Sequence, residues 1–240
     1  MEMKPIAILI AGDPVPLAKQ QQGGFEAMIR RTAGSSSELA AGEWSEVDLR
    51  TATALPNLAD VAGIIVTGSA SSVTDREPWT LRGEALLRQF VGAQVPILGI
   101  CYGHQMLGQA LGGLVEKNPR GREIGTVQVE QIERDPILGD AGSYPINATH
   151  VDAVTRLPPR ARVLAKTSLD PNAAVRFGEH TWGVQFHPEF NSEVMRAYIQ
   201  TRRDILSAEQ IDPDRLLNQV ADTPRGPQIL QRFVDYVRSR

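Results

Sequence analysis

A chain of 240 residues, 42% of them hydrophobic, can bury one full core, and that length fits one large α/β domain better than two small ones. Its 25 Lys and Arg against 28 Asp and Glu give a formal charge of −3 with no basic block, which argues against nucleic acid as a main partner. One cysteine excludes an internal disulfide or a multi-cysteine zinc site and suits a reducing compartment, so the cytoplasm is expected; the apolar runs are too short for a signal segment or a membrane span.

Residues 5–11 predict a first strand, ended by Gly12, Asp13 and Pro14, with a loop after it. Phe25, Met28 and Ile29 fit one face of a short amphipathic helix, stopped by the segment 34–37. A second strand is expected over 44–49, where Trp44, Val47 and Leu49 are the bulkiest members. The continuous apolar run 61–66 reads as a buried strand entering Thr67-Gly68-Ser69, a small-residue loop whose backbone N–H groups suit an oxyanion. Leu81, Leu86, Leu87, Phe90 and Val91 mark a helix, 95–100 another buried strand, and Met106, Leu107, Ala110 and Leu111 a second helix. Beyond Gly113, strand-like runs at 114–115, 124–132, 144–149, 151–155, 162–165, 173–177 and 181–186 are separated by turn residues such as Gly139, Pro158 and Pro171. They predict antiparallel strands added to a parallel sheet. A helix over 191–206, N-capped by Asn191 or Ser192, completes a domain over 1–206. Residues 207–240 read as its helical extension, with helices near 212–217 and 228–237.

The strand-to-helix joint at Cys101 carries the chemistry. Gly99-Ile100-Cys101-Tyr102-Gly103 is a G-x-C-x-G turn, the cysteine counterpart of the nucleophile elbow, and the helix N-terminus after it favours thiolate. A lone cysteine is ordinarily a small buried hydrophobe, but that does not explain this glycine spacing. Four histidines compete to be its base. His104, in the first turn after the cysteine, is expected to be structural and to point away from it. His180, in a predicted hairpin turn, reads as a surface residue. His150 and Asp152, two apart, are expected on one strand face, in a structural or a substrate-facing role. His187 ends an apolar strand in His187-Pro188-Glu189. If the backbone stays extended, as Pro188 favours, Glu189 reaches one ring nitrogen while the other faces the thiol, the arrangement of a nucleophile–base–orienter triad.

Together, Gly99-Ile100-Cys101-Tyr102-Gly103-His104-Gln105 and His187-Pro188-Glu189 resemble the class I, triad-type glutamine amidotransferases over about residues 5–200. Arg122-Glu123-Ile124-Gly125 is similar to the GMP-synthetase branch, and the stretches 69–79 and 150–152 look like free-standing members. The resemblance implies a three-layer α/β/α, flavodoxin-like fold, with a mainly parallel sheet and added antiparallel strands. It implies a triad of Cys101, His187 and Glu189, an oxyanion hole from backbone N–H groups of Tyr102 and of Gly68 or Ser69, and substrate contacts from Gln105, with His150 and Asp152 as further candidates. Cys101 would form a γ-glutamyl thioester with glutamine, with no metal and no organic cofactor. No ATP-binding loop occurs in the chain, so three readings stay open: ammonia passed to a separate synthetase subunit, a free-standing γ-glutamyl peptidase, or a non-catalytic interaction module. Leaving-group and acceptor specificity is expected in loops 13–24, 70–80 and 118–123.

Overall fold

No polar face exists on β1 (Ile6–Ile10): Ile6 and Ile8 pack to one side, Ala7 and Leu9 to the other, and all four are buried. Such a strand needs cover on both faces. The computed structural model, which describes residues 4–34 and 43–240, provides that cover with helices.

β1 pairs in parallel with β2 (Trp44–Asp48) and β3 (Gly63–Val66), and β3 with β4 (Ile97–Ile100). The order β2-β1-β3-β4 is the start of a flavodoxin-like sheet. β11 (Thr181–Val184) then lies parallel to β4, and β10 (Ala174–Gly178), β9 (Arg162–Lys166), β6 (Glu123–Gln131) and β7 (Gly142–His150) extend the sheet in antiparallel pairs to nine strands. β5 (Leu114–Lys117) and β8 (Asp152–Arg156) form a separate antiparallel ribbon. The fold is the expected three-layer α/β/α arrangement, with a parallel core and an antiparallel wing. α2 (Phe25–Ala33) and α8 (Arg225–Arg238) cover the Ile6 and Ile8 side; α3 (Pro78–Gly92) and α4 (Tyr102–Ala110) cover the Ala7 and Leu9 side.

Four local features differ from expectation. The segment after β1 contains α1 (Pro16–Gln22), because Pro16 is preset for a first helical turn, where its missing N–H costs nothing. The helix expected over 191–206 is two: α5 (Ser192–Thr201), capped by the Asn191 side chain, and α6 (Arg203–Ala208). The break is Arg202, whose φ of −100° and ψ of 11° turn the chain while its guanidinium reaches back to Thr149 Oγ1 at 2.6 Å. The strand expected over 181–186 leaves the ladder after Val184. The chain bends at Val151, so His150 and Asp152 end and begin strands of different sheets and do not share a face. Of the segment expected to stop α2, Gly34 is the C-cap and residues 35–37 lie outside the described residues. α7 (Pro213–Gln219) precedes α8. Among the described residues no helix is long and apolar enough to cross a membrane.

Candidate active site

β3, β4 and β11 are consecutive in the parallel part of the sheet, so the loops after them meet at one edge. β4 delivers Cys101. Its φ of 50° and ψ of −99° lie where a side chain is strained, and the Cys101 N–H donates to Val184 O at 2.8 Å, tying the turn to β11. The flanking glycines are dictated by contact: a Cβ on Gly99 would lie 2.5 Å from the Gly103 carbonyl, and one on Gly103 would lie 2.5 Å from Val66 O. The elbow predicted from spacing is therefore a steric requirement.

β11 delivers His187. The His187 N–H donates to Asn147 O at 2.8 Å, and Asn147 Nδ2 donates to Phe190 O at 3.1 Å. Between these two anchors the chain forms a turn, closed by the Phe190 N–H on His187 O at 3.3 Å. The extended backbone expected at His187 thus does not continue through Pro188 and Glu189. The turn carries Glu189 back under the ring instead, with Oε1 2.8 Å from Nδ1. Phe190 stacks on the imidazole at 4.1 Å between centroids, so two contacts fix the ring plane. Nε2 remains for Cys101. Burial disfavours the imidazolium most, yet the Glu189 charge and the Cys101 sulfur together raise His187 to about 10. Burial likewise opposes the thiolate, and the His187 charge and hydrogen bond outweigh it, pulling Cys101 below the usual thiol range. Both shifts favour the thiolate–imidazolium form of the pair.

β3 delivers Gly68 and Ser69. A Cβ on Gly68 would lie 2.9 Å from His187 Cε1 and 3.8 Å from Cys101 Cβ, so only glycine fits against this pair. The N–H groups of Gly68 and Ser69 donate to no acceptor among the described residues, and Tyr102 is the first residue of α4, where an N–H has no partner within the helix.

The residues 23–203 match the family described as glutamine amidotransferase class-I. The chain belongs to that family. It is 37% identical over 129 residues to a GMP synthase [glutamine-hydrolyzing] of Aeropyrum pernix, an alignment covering 53% of this chain and 24% of that protein. The chain thus spans about a quarter of the GMP synthases it matches. A γ-glutamyl peptidase 5 of Arabidopsis thaliana is 26% identical over 223 residues, covering 89% of this chain and 87% of that one. Among solved structures, a glutamine amidotransferase of Thermotoga maritima superposes with a TM-score of 0.75 at 21% identity, covering 98% and 99% of the two chains. One from Methylobacillus flagellatus gives 0.77 at 21%, covering 98% and 95%. At that identity the likeness concerns the fold.

Against this family background the remaining expected residues divide. Gln105 lines the cleft beside Cys101, with Nε2 donating to Asp152 O at 2.8 Å and to Gln185 Oε1 at 3.1 Å. Asp152 also lines the cleft and accepts from Ser72 Oγ. The His150 ring is committed elsewhere: Nδ1 lies 2.9 Å from Asp152 O and Nε2 3.1 Å from Glu123 Oε2. His104 is buried against the Phe177 ring and the Gly183 backbone, and burial, followed by the nearby His150 charge, drives it down to about 3, so it is neutral. His180 is a correction. It is 6% exposed, because α8 lays Tyr236 over it and Tyr236 Oη sits 2.5 Å from Nδ1.

Among the residues around Cys101 that escaped the sequence reading are Gln185 and Arg202. Gln185 is 1% exposed and donates from Nε2 to Cys101 Sγ at 3.6 Å; its one signal was a polar side chain interrupting an apolar run two residues before His187. Arg202 enters from the α5–α6 break and had no signal within a single predicted helix.

Proposed function

We propose that the protein hydrolyses the γ-carboxamide of glutamine through a γ-glutamyl thioester at Cys101. The Cys101 thiolate attacks the side-chain carbonyl carbon, and the N–H groups of Tyr102 and of Gly68 or Ser69 receive the developing oxyanion. His187, charged and oriented by Glu189, gives its proton to the departing nitrogen and then takes one from the water that releases glutamate. Gln105 orients the glutamyl group, with Asp152 as a further contact, and a reducing cytoplasm would keep the single thiol competent.

The observation that carries this reading is the convergence of the three components. A nucleophile at an elbow, a carboxylate-held imidazole and a loop of unsatisfied N–H groups end three adjacent strands. Intact-mass analysis of protein quenched during turnover, with Cys101→Ala alongside, tests it: the wild type should gain a glutamyl adduct and release glutamate, while the variant does neither. Turnover retained by Cys101→Ala would sink the mechanism.

The fate of the nitrogen divides two further proposals. The likeness to the GMP synthases supports delivery of ammonia to a synthetase partner. Near end-to-end similarity to a γ-glutamyl peptidase supports free-standing action on γ-glutamyl amides. A non-catalytic role has least support, because none of the chemical groups is missing.

A further inference from the structure

The cleft at Cys101 forks. One branch, of ≈ 370 Å³, holds Cys101, Gln105 and Asp152; the other, of ≈ 180 Å³, holds His187; Ser69, Ala70, Thr149 and Arg202 line both. The reaction distinguishes the branches. The acyl group ends bonded to Cys101, whereas the departing nitrogen collects its proton from His187, so the leaving group belongs on the His187 side. Ammonia needs little more room than the roughly 30 Å³ of a water molecule. The His187 branch is several times larger.

The walls of that branch indicate what fills it. Val15, Phe25 and Tyr198 make it largely apolar, and besides His187 it is lined by two charged residues, Asp13 and Arg202. Asp13 is already paired, with Lys19 at 2.7 Å and Arg50 at 2.9 Å. Arg202 is not: its guanidinium lies over the Tyr198 ring at 5.1 Å, donates to Thr149 Oγ1 at 2.6 Å, and meets no carboxylate among the described residues. Cys101 and Glu209 act on it only as charges without an ion-pair contact, and a part-buried guanidinium with no carboxylate in contact gains most from an anion that reaches it directly. Thr149 also places it, since the carbonyl oxygen of the same residue lies 3.8 Å from Cys101 Sγ.

We propose that the His187 branch is a leaving-group subsite, and that Arg202 binds there the carboxylate of an amino acid or short peptide joined through its amine to the γ-glutamyl group. The inference rests on the thioester reading above and narrows its substrate class to γ-glutamyl amides of amino acids. The Sγ–Cδ bond forms as the Cδ–N bond breaks, and the nitrogen leaves with the His187 proton. Water then attacks Cδ, returns a proton to His187 and releases glutamate, so nothing is oxidised or reduced.

The test compares γ-glutamylglycine with γ-glutamylmethylamide, which has the same scissile bond without the carboxylate, and with glutamine. In the wild type, kcat/KM for γ-glutamylglycine should exceed that for the methylamide by about 10- to 100-fold, the effect of one charged hydrogen-bonded contact. Arg202→Met should collapse that ratio to near one, chiefly through KM, and Arg202→Lys should restore part of it. Equal rates for the two amides in the wild type would overturn the subsite whatever the variants do. An equal loss on all three substrates in Arg202→Met would overturn it too, placing the guanidinium on the glutamyl end. Absence of any turnover and of any Cys101 adduct would instead remove the thioester reading itself, and the subsite with it.

Discussion

Two buried imidazole–carboxylate pairs flank Cys101, and only one leaves a ring nitrogen to the sulfur. His187 with Glu189 and His150 with Glu123 are alike in burial, and their N···O separations are 2.8 and 3.1 Å. In both, the carboxylate holds the imidazole above its ordinary range against the dominant opposing effect of burial. The difference lies in the second nitrogen. In His150 it is occupied by Asp152 O, whereas in His187 it is left to the sulfur. A carboxylate partner makes an imidazole basic, but an open nitrogen makes it a base. His150 acts on the thiol only as a charge, and a weaker one than His187.

The same substitution in each pair breaks the comparison open. Under the proposed mechanism Glu189→Gln should lower kcat by roughly 10²- to 10⁴-fold, as loss of the orienting carboxylate does in Ser-His-Asp triads, and His187→Ala by at least as much. The pH dependence has a definite sign. With Glu189 neutralised, the His187 imidazolium loses its main support, so the Cys101 thiolate loses its own partner. The pH profile of iodoacetamide alkylation at Cys101 should therefore move upward in Glu189→Gln, from below the ordinary thiol range of about 8.5 toward it. Glu123→Gln makes the matching change at the other pair, and should cost only about fivefold in kcat/KM and leave the alkylation profile nearly in place. A drop with Glu123→Gln as large as that with Glu189→Gln would show that occupancy of the second nitrogen is not what separates the pairs.

Why one pair was legible beforehand and the other was not follows from their geometry. Cys101 announced itself because the elbow is local: Gly99 and Gly103 must be small for reasons set within a few residues. His187 and Glu189 were also readable, being two apart, although a turn and not an extended backbone joins them. Glu123 and His150 meet only because β6 and β7 pair in a register that sets them opposite each other, which no spacing along the chain discloses. Arg202 was hidden for a related reason: the apolar periodicity of 191–206 continues across a break caused by a tertiary contact. The parallel strands β1, β3 and β4, apolar throughout, were the most readable part of the fold; α1, starting among prolines, was the least.

His180 gives the smallest expected effect and the control for the whole comparison. It precedes β11 as His187 follows it, so the two imidazoles lie at opposite ends of one strand. Its Nδ1 meets Tyr236 Oη at 2.5 Å and lies 3.2 Å from an Arg240 guanidinium nitrogen, and its ring tilts against Tyr236 at 6.0 Å. Burial, with Arg240 next, lowers its pKa, so it is neutral at pH 7 and serves as a packing and hydrogen-bonding link between β11 and α8. Removing it deletes the Nδ1 contacts with Tyr236 Oη and Arg240, both of which can turn to water at the edge of the helix. His180→Ala should therefore cost about 1 kcal/mol, read as a fall of roughly 2–4 °C in Tm for a chain of this size, with kcat/KM within about twofold of wild type. A large loss of activity with an unchanged melting temperature would mean that the far end of β11 tunes the position of His187, and the contrast between the pairs would then have to include the strand that carries one of them.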